Sequence, residues 1–256
     1  MKFSDLKSLS DVMTALPDEK SAANLLFNEG LIKNNVNCSK CGNPMQLRSR
    51  ANGYEWRCRS SKSKDCSSES IRHGSFFART KLTLLQAIKV IVLWKQKNSA
   101  KQISKEVGIS EQTVCDWRNF LREICTSIEL SYGKLGGIDR TTGRVAKILV
   151  PLLQASVDKN SIVYSDERKS YSQLKHYFSE HCTVCHKIQF VNIVGSRRVC
   201  TNGVEAMGSR LKAPFKSGKG TRQTLLDSYI SEFFVRENEK DDFFSKVLDE
   251  MKSKVI

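Results

Sequence analysis

No apolar run in this chain approaches the roughly 20 residues that a membrane span requires, and no charged-then-apolar signal pattern opens it. The expectation is a soluble, intracellular protein that makes no membrane contact. Internal repeats and low-complexity stretches are also missing, which excludes repeat arrays. The 256 residues then have room for one domain of moderate size and one or two small modules. Negative charge is in short supply: 27 Asp and Glu stand against 42 Lys and Arg, for a formal net charge of +15. That imbalance favours a polyanionic partner, although a basic solvated surface would also account for it. Cysteine is plentiful by contrast. Nine of them, odd in number and mostly unpaired in pattern, suit a reducing compartment better than secretion.

Four of these cysteines are grouped. Cys38 and Cys41 form a CxxC pair in the knuckle Cys38-Ser39-Lys40-Cys41-Gly42, and Cys58 and Cys66 follow, with Cys58 closing a strand over 54–58. Four thiolates in this order suit a zinc ribbon with structural Zn²⁺. A catalytic zinc is excluded, because four protein thiolates leave no open coordination position. The gap from Cys58 to Cys66 holds seven residues, so the second knuckle is expected to carry an expanded loop from Arg59 to Asp65. Ordinary reduced thiols are the alternative, and the Cys-Gly knuckle makes it the poorer one.

Residues 1–36 read as an amphipathic helical lead-in, with Ala22, Leu25, Leu26, Leu31 and Ile32 near helical spacing, and residues 37–78 as the ribbon. Residues 79–130 carry the spacing of a helix-turn-helix DNA-binding domain. A buried helix spans 82–94, a second spans 100–107, Gly108-Ile109-Ser110 forms a tight turn with Ser110 as N-cap, and a third helix starts at Glu111. Apolar Ile103, Val107, Ile109, Val114 and Trp117 fit that packing. Gln112, Thr113, Arg118 and Arg122 are the expected contacts to double-stranded DNA. A plain helical hairpin would give a similar pattern.

Three glycines within 131–137 mark a linker, and the remainder is α/β in character. A short β-rich run ends at Asp166, a strand-like stretch covers 185–193, helices are expected over 201–212 and 225–234, and 241–256 reads as a charged tail. Asp166, at a strand end, and Glu205, on a helix with 38 residues between them, are the arrangement with which an RNase H-like sheet holds divalent metal for two-metal phosphoryl transfer. Lys212 follows Glu205 by two helical turns on the same face, where it can meet a phosphate. Solvated surface acids are the competing reading.

Several blocks together resemble the Merlin-type transposases of animals and their bacterial ISXO2-like insertion-sequence relatives. They are the ribbon cysteines with Trp56-Arg57-Cys58-Arg59, then Ser70-Ile71-Arg72-His73-Gly74-Ser75-Phe76-Phe77, and Leu135-Gly136-Gly137. They continue with Ser165-Asp166 followed by Tyr171, His181 with Val184 and His186, Thr201-Asn202-Gly203-Val204-Glu205 through Lys212, and Glu232-Phe233 with Arg236-Glu237-Asn238. The resemblance covers about residues 25 to 240. It implies an α+β multi-domain protein: a zinc ribbon and helix-turn-helix, then a truncated RNase H-like DDE domain over 138–240. It also implies Asp166 and Glu205 as the second and third catalytic acids, Lys212 as a DNA-contacting lysine, and Mg²⁺ or Mn²⁺ as the catalytic cofactor. Transposon terminal repeats are the implied partner, with a possible homodimer on paired ends and nuclear localisation if the host is eukaryotic.

The departures from the family pattern set the limits. The strand that carries the first catalytic acid should follow Gly137, yet Gly137 runs directly into Ile138-Asp139-Arg140-Thr141-Thr142-Gly143-Arg144, a stretch the family places later. Asp139, the only acid nearby, lies 27 positions before Asp166, which is short for the two strands that should separate the pair. Two of three acids do not hold two metals productively. The sequence therefore leaves three alternatives: an active transposase, a catalytically inactive, domesticated or decayed DNA-binding protein, or a coding sequence that lacks an exon between Gly137 and Ile138.

Overall fold

The computed structural model describes all residues except 52, 61–62, 132–152, 156, 168, 186–191, 201, 218–219 and 256. The chain divides into two units. The first combines Met1–Ser131 with Asp227–Ile256, and the second, Tyr132–Leu226, is inserted between these two pieces in sequence.

In the first unit, the lead-in forms α1 (Leu9–Ala15) and α2 (Glu19–Asn28). Ser8 and Asp18 cap them through the backbone N–H groups of Asp11 and Ser21. The ribbon is a three-stranded antiparallel sheet, β1 (Gln46–Arg50), β2 (Gly53–Ser60) and β3 (Ser63–Ser70), in the order β1-β2-β3. The expanded loop expected between Cys58 and Cys66 is thus mostly strand. Cys58 lies opposite Ser67, and a bulge between Cys58 and Ser60 absorbs the extra length. Phe27 on α2 packs edge-on against Tyr54 and Trp56, with ring centroids 6.2 Å apart in each case, which seats the lead-in on the sheet.

Helices α3 (Leu84–Lys95), α4 (Ala100–Val107) and α5 (Glu111–Ser131) follow. Thr83 and Ser99 cap α3 and α4 in reciprocal boxes with Gln86 and Gln102. The core buries most of α3 together with Ile103, Val114, Trp117, Leu121 and Ile124. Helix α5 continues nine residues past Arg122.

The segment expected as a charged tail is a packed helix. After α7 (Gln223–Glu239), α8 (Phe243–Ser253) buries Phe243, Phe244, Val247, Leu248 and Met251. These apolar residues recur at helical spacing beneath the charges and give the segment a core face. Phe244 meets Phe3 edge-on at 5.5 Å, so the two ends of the described chain share one core.

The second unit is mixed α/β. Strands β4 (Ile162–Asp166) and β5 (Glu180–Val184) pair in parallel, joined through a 3-10 segment at Lys169–His176. Strands β6 (Asn192–Val194) and β7 (Arg197–Val199) form an antiparallel hairpin, and α6 (Asn202–Ser217) follows. The strand-like stretch expected over 185–193 is only partly described: β6 includes Asn192 and Ile193, and 186–191, His186 among them, lie outside the described residues.

Candidate metal centre and nucleic-acid interface

The knuckle residues are set by backbone geometry. Gly42 takes a left-handed φ of 74°, and its N–H donates to the Cys38 carbonyl at 2.8 Å while the Cys38 N–H donates to the Asn43 carbonyl at 2.8 Å. This turn points Cys38 and Cys41 at Cys58 on β2 and Cys66 on β3. All four sulfurs lie within 4.8 Å of one another. Cys38 Sγ is 3.5 Å from Cys66 Sγ, and Cys41 Sγ is 3.4 Å from Cys58 Sγ. A tetrahedral ion with bonds of about 2.3 Å places its sulfurs roughly 3.8 Å apart, whereas a disulfide needs about 2.05 Å. The donor set therefore fits a metal such as zinc.

The electrostatics agree with the geometry. The Ser67 hydroxyl, 2.9 Å away, holds the Cys38 thiol down at about 6, and the Lys40 N–H adds to this from 3.4 Å. Burial pushes Cys58 up to about 12, and the bond to Cys38 raises Cys66. Ionising one thiol thus makes the next harder to ionise, and a divalent cation relieves that repulsion.

The helix-turn-helix is formed by local sequence. Gly108 ends α4 in the left-handed region at φ 72°. The Ser104 carbonyl accepts from the N–H groups of Gly108 at 3.0 Å and Ile109 at 3.2 Å. Ser110 then accepts from the Thr113 N–H at 3.1 Å and starts α5. Gln112 is exposed and donates to Asp116 at 2.9 Å. Thr113 and Arg118 are half-buried, and the Thr113 hydroxyl pairs with Ser110 at 2.8 Å. A cleft of about 570 Å³, with Phe76, Trp117 and Phe120 among its walls and Arg79 and Lys81 also lining it, runs beside Thr113 and Asp116.

Arg122 does not belong to this surface. It is 2% exposed, its guanidinium lies 3.9 Å over the Tyr229 ring and 3.9 Å from Glu232, and it donates to Asn119. Position 122 faces α7, a packing partner that no local pattern in the chain indicates. Burial lowers its ionisation from the ordinary arginine value.

The structural roles of two residues, Glu19 and Arg236, cannot be read from the sequence. The Glu19 carboxylate accepts from the Leu84 N–H at 2.6 Å, the Leu85 N–H at 3.0 Å and Arg72 at 3.2 Å, closing the start of α3. Arg236 closes the other end of α3, donating to the Trp94 and Lys95 carbonyls at 3.1 Å each and to Glu232 at 2.9 Å. The blocks holding Arg72 and Arg236 are visible as motifs, but only the fold shows what they touch.

In the second unit, Asp166 is the last residue of β4, Glu205 sits exposed in the first turn of α6, and Lys212 is exposed two turns later. His181 on β5 shares a 2.8 Å hydrogen bond with Ser165 beside Asp166 in the chain, and burial lowers its ionisation. Asp139 and the linker at 132–137 lie outside the described residues.

A three-helix unit of helix-turn-helix form with a four-cysteine cluster in the same unit defines a first class, that of DNA-binding proteins. Residues 137–238 match the ISXO2-like transposase domain and residues 81–120 match a homeodomain-like domain, the latter over α3, α4 and the first half of α5. No curated protein and no solved structure matches the chain. The chain carries an ISXO2-like transposase domain and a homeodomain-like domain, and its function is that of a transposase or a DNA-binding protein derived from one. Among the described residues, no helix is long and apolar enough to cross a membrane.

Proposed function

We propose that this chain binds double-stranded DNA at transposon terminal repeats through α5, with Zn²⁺ holding the adjoining ribbon rigid, and that DNA binding is the activity it retains. The observation that carries this is the α4–turn–α5 geometry, with Ser110 capping a helix whose first turns present Gln112, Thr113 and Arg118. Cys38, Cys41, Cys58 and Cys66 would hold the ion, which would supply folding free energy rather than chemistry. Arg118→Glu tests the reading: an intact fold with DNA affinity at least tenfold weaker supports it, and unchanged affinity overturns it.

A second reading, catalysis of strand cleavage and transfer, is favoured by Asp166 at the end of β4 and Glu205 at the start of α6. In an RNase H-like arrangement these carboxylates would hold Mg²⁺ or Mn²⁺, which activates water or a 3′-hydroxyl when bound. Lys212 would meet a phosphate, and a homodimer would pair two ends. The gap after Gly137 argues against a complete acid set. Incubation of terminal-repeat DNA with Mn²⁺ separates the two readings. Binding without cleavage supports the first, and cleavage lost in both Asp166→Asn and Glu205→Gln supports the second.

A further inference from the structure

We propose that the outward face of the β1–β2–β3 sheet is a second DNA-contact surface, gripping the phosphate backbone of the duplex with arginines. The proposal deepens the DNA-binding reading and rests on it.

Strand register fixes which side chains share this face. Arg48 lies opposite Glu55 and Gln46 opposite Arg57 across β1 and β2, while Arg57 lies opposite Ser68 and Glu55 opposite Ser70 across β2 and β3. Because side chains alternate along a strand, Arg48, Arg50 and Arg57 project together, with the exposed Ser68 and Ser70 beside them. Arg59 is exposed at the bulge that ends this row. On the opposite face β2 is committed to the interior: Trp56 is 5% and Cys58 1% exposed, and Phe27 packs on Tyr54 and Trp56.

The chemistry of the row selects phosphate. Arg48, Arg50, Arg57 and Arg59 put four positive charges along this row, and Glu55 lies 2.5 Å from Arg50 and 3.6 Å from Arg57. All four cations are arginine, whose planar fork matches a phosphate in two hydrogen bonds. Short serine hydroxyls between them are ordinary phosphate-contacting groups. Arg48 and Arg50 stand about 6.7 Å apart along β1, the rise of two strand residues. Cys58 in the cysteine cluster and the buried Trp56 fix the backbone of β2, the strand that carries Arg57 and Arg59.

The test is a salt titration of the zinc-loaded full chain on a double-stranded oligonucleotide, followed by fluorescence anisotropy. Arg48→Ala/Arg57→Ala/Arg59→Ala should lower the slope of log K against log salt by about 2 to 3, near one for each phosphate that the variant no longer neutralises. Affinity at low salt should fall at least tenfold, with zinc content and melting temperature retained. The corresponding triple lysine variant should keep most of the slope, and Glu55→Gln should tighten binding and steepen it. The lysine and Glu55→Gln variants decide the matter if the alanine variant does not fold. Unchanged slopes in the alanine variant, or unchanged affinity in Glu55→Gln, overturn the proposal and leave α5 as the DNA-binding element. A wild-type chain that fails to bind duplex at any salt overturns the DNA-binding reading itself and this proposal with it.

Discussion

Arg122 shows how a single side chain can be legible in type and illegible in place. Its position three turns into a DNA-binding helix suggests a groove contact, but α5 runs on to Ser131 and turns position 122 toward Tyr229 and Glu232. Its Nε and Nη1 find no hydrogen-bond partner, and Glu232 already holds Arg236 at 2.9 Å. Replacing Arg122 therefore removes a buried charge without leaving its acid unpaired. Arg122→Met is expected to change unfolding free energy by less than about 1 kcal/mol or to stabilise, with DNA affinity unchanged; chemical denaturation and anisotropy check both. Glu19 is the opposite case, a surface-looking acid whose carboxylate satisfies two N–H groups at the start of α3 and meets Arg72. Glu19→Gln should cost about 1.5 to 3 kcal/mol, the range for hydrogen bonds to a charged group, read as a lower denaturation midpoint. Nothing local in the sequence around Glu19 points to residues 65 positions away. At His181, burial depresses ionisation, so the folded state keeps the ring neutral where the unfolded chain takes up a proton. Stability should then be complete above about pH 6.5 and fall as pH drops from there toward the depressed folded value. His181→Gln should flatten that part of a plot of urea midpoint against pH.

At the scale of elements, legibility follows the range of the forces involved. The α4–turn–α5 unit is readable in the sequence because Gly108 and Ser110 act on their own neighbours, through a left-handed backbone and a cap. No atom lies within 4 Å of a Cβ built at Gly108, so Gly108→Ala should cost only the left-handed strain, roughly 1 to 2 kcal/mol. Ser110→Ala should cost about 1 kcal/mol for the missing cap. Both are measurable by thermal melts, and a neutral result in both would contradict the local account of the turn. The hairpin between Cys58 and Cys66 is hidden from the sequence, because the number of residues between two ligands does not say whether they are looped or paired, and a bulge masks the difference. Helix α8 is hidden for another reason: Lys240, Asp241 and Asp242 set a charged tone that conceals buried Phe243, Phe244, Val247, Leu248 and Met251 behind it. Ending the chain before Phe243 should leave the DNA-binding unit unable to fold, seen as a loss of helical circular dichroism. A truncated chain that keeps native dichroism and DNA affinity would contradict that packing.

At the scale of the whole molecule, the transposase-like unit is an insertion into the DNA-binding unit, whose core needs both ends of the described chain. The match to the ISXO2-like domain extends to residue 238, so it includes Glu232 and Arg236, which the fold places against α3 and α5. Metal removal should act on this unit first. Chelation is expected to unfold residues 37–78 and abolish DNA binding, and acidification should release the ion because its thiolate ligands must be deprotonated. The measurement with most to say is a selection from randomised duplexes by the zinc-loaded chain, repeated with Gln112→Ala. DNA reading by the first turns of α5 predicts that the wild type enriches one sequence motif and that the variant relaxes it at one or two adjacent base pairs. No enrichment by the wild type, or the same motif from the variant, would contradict it.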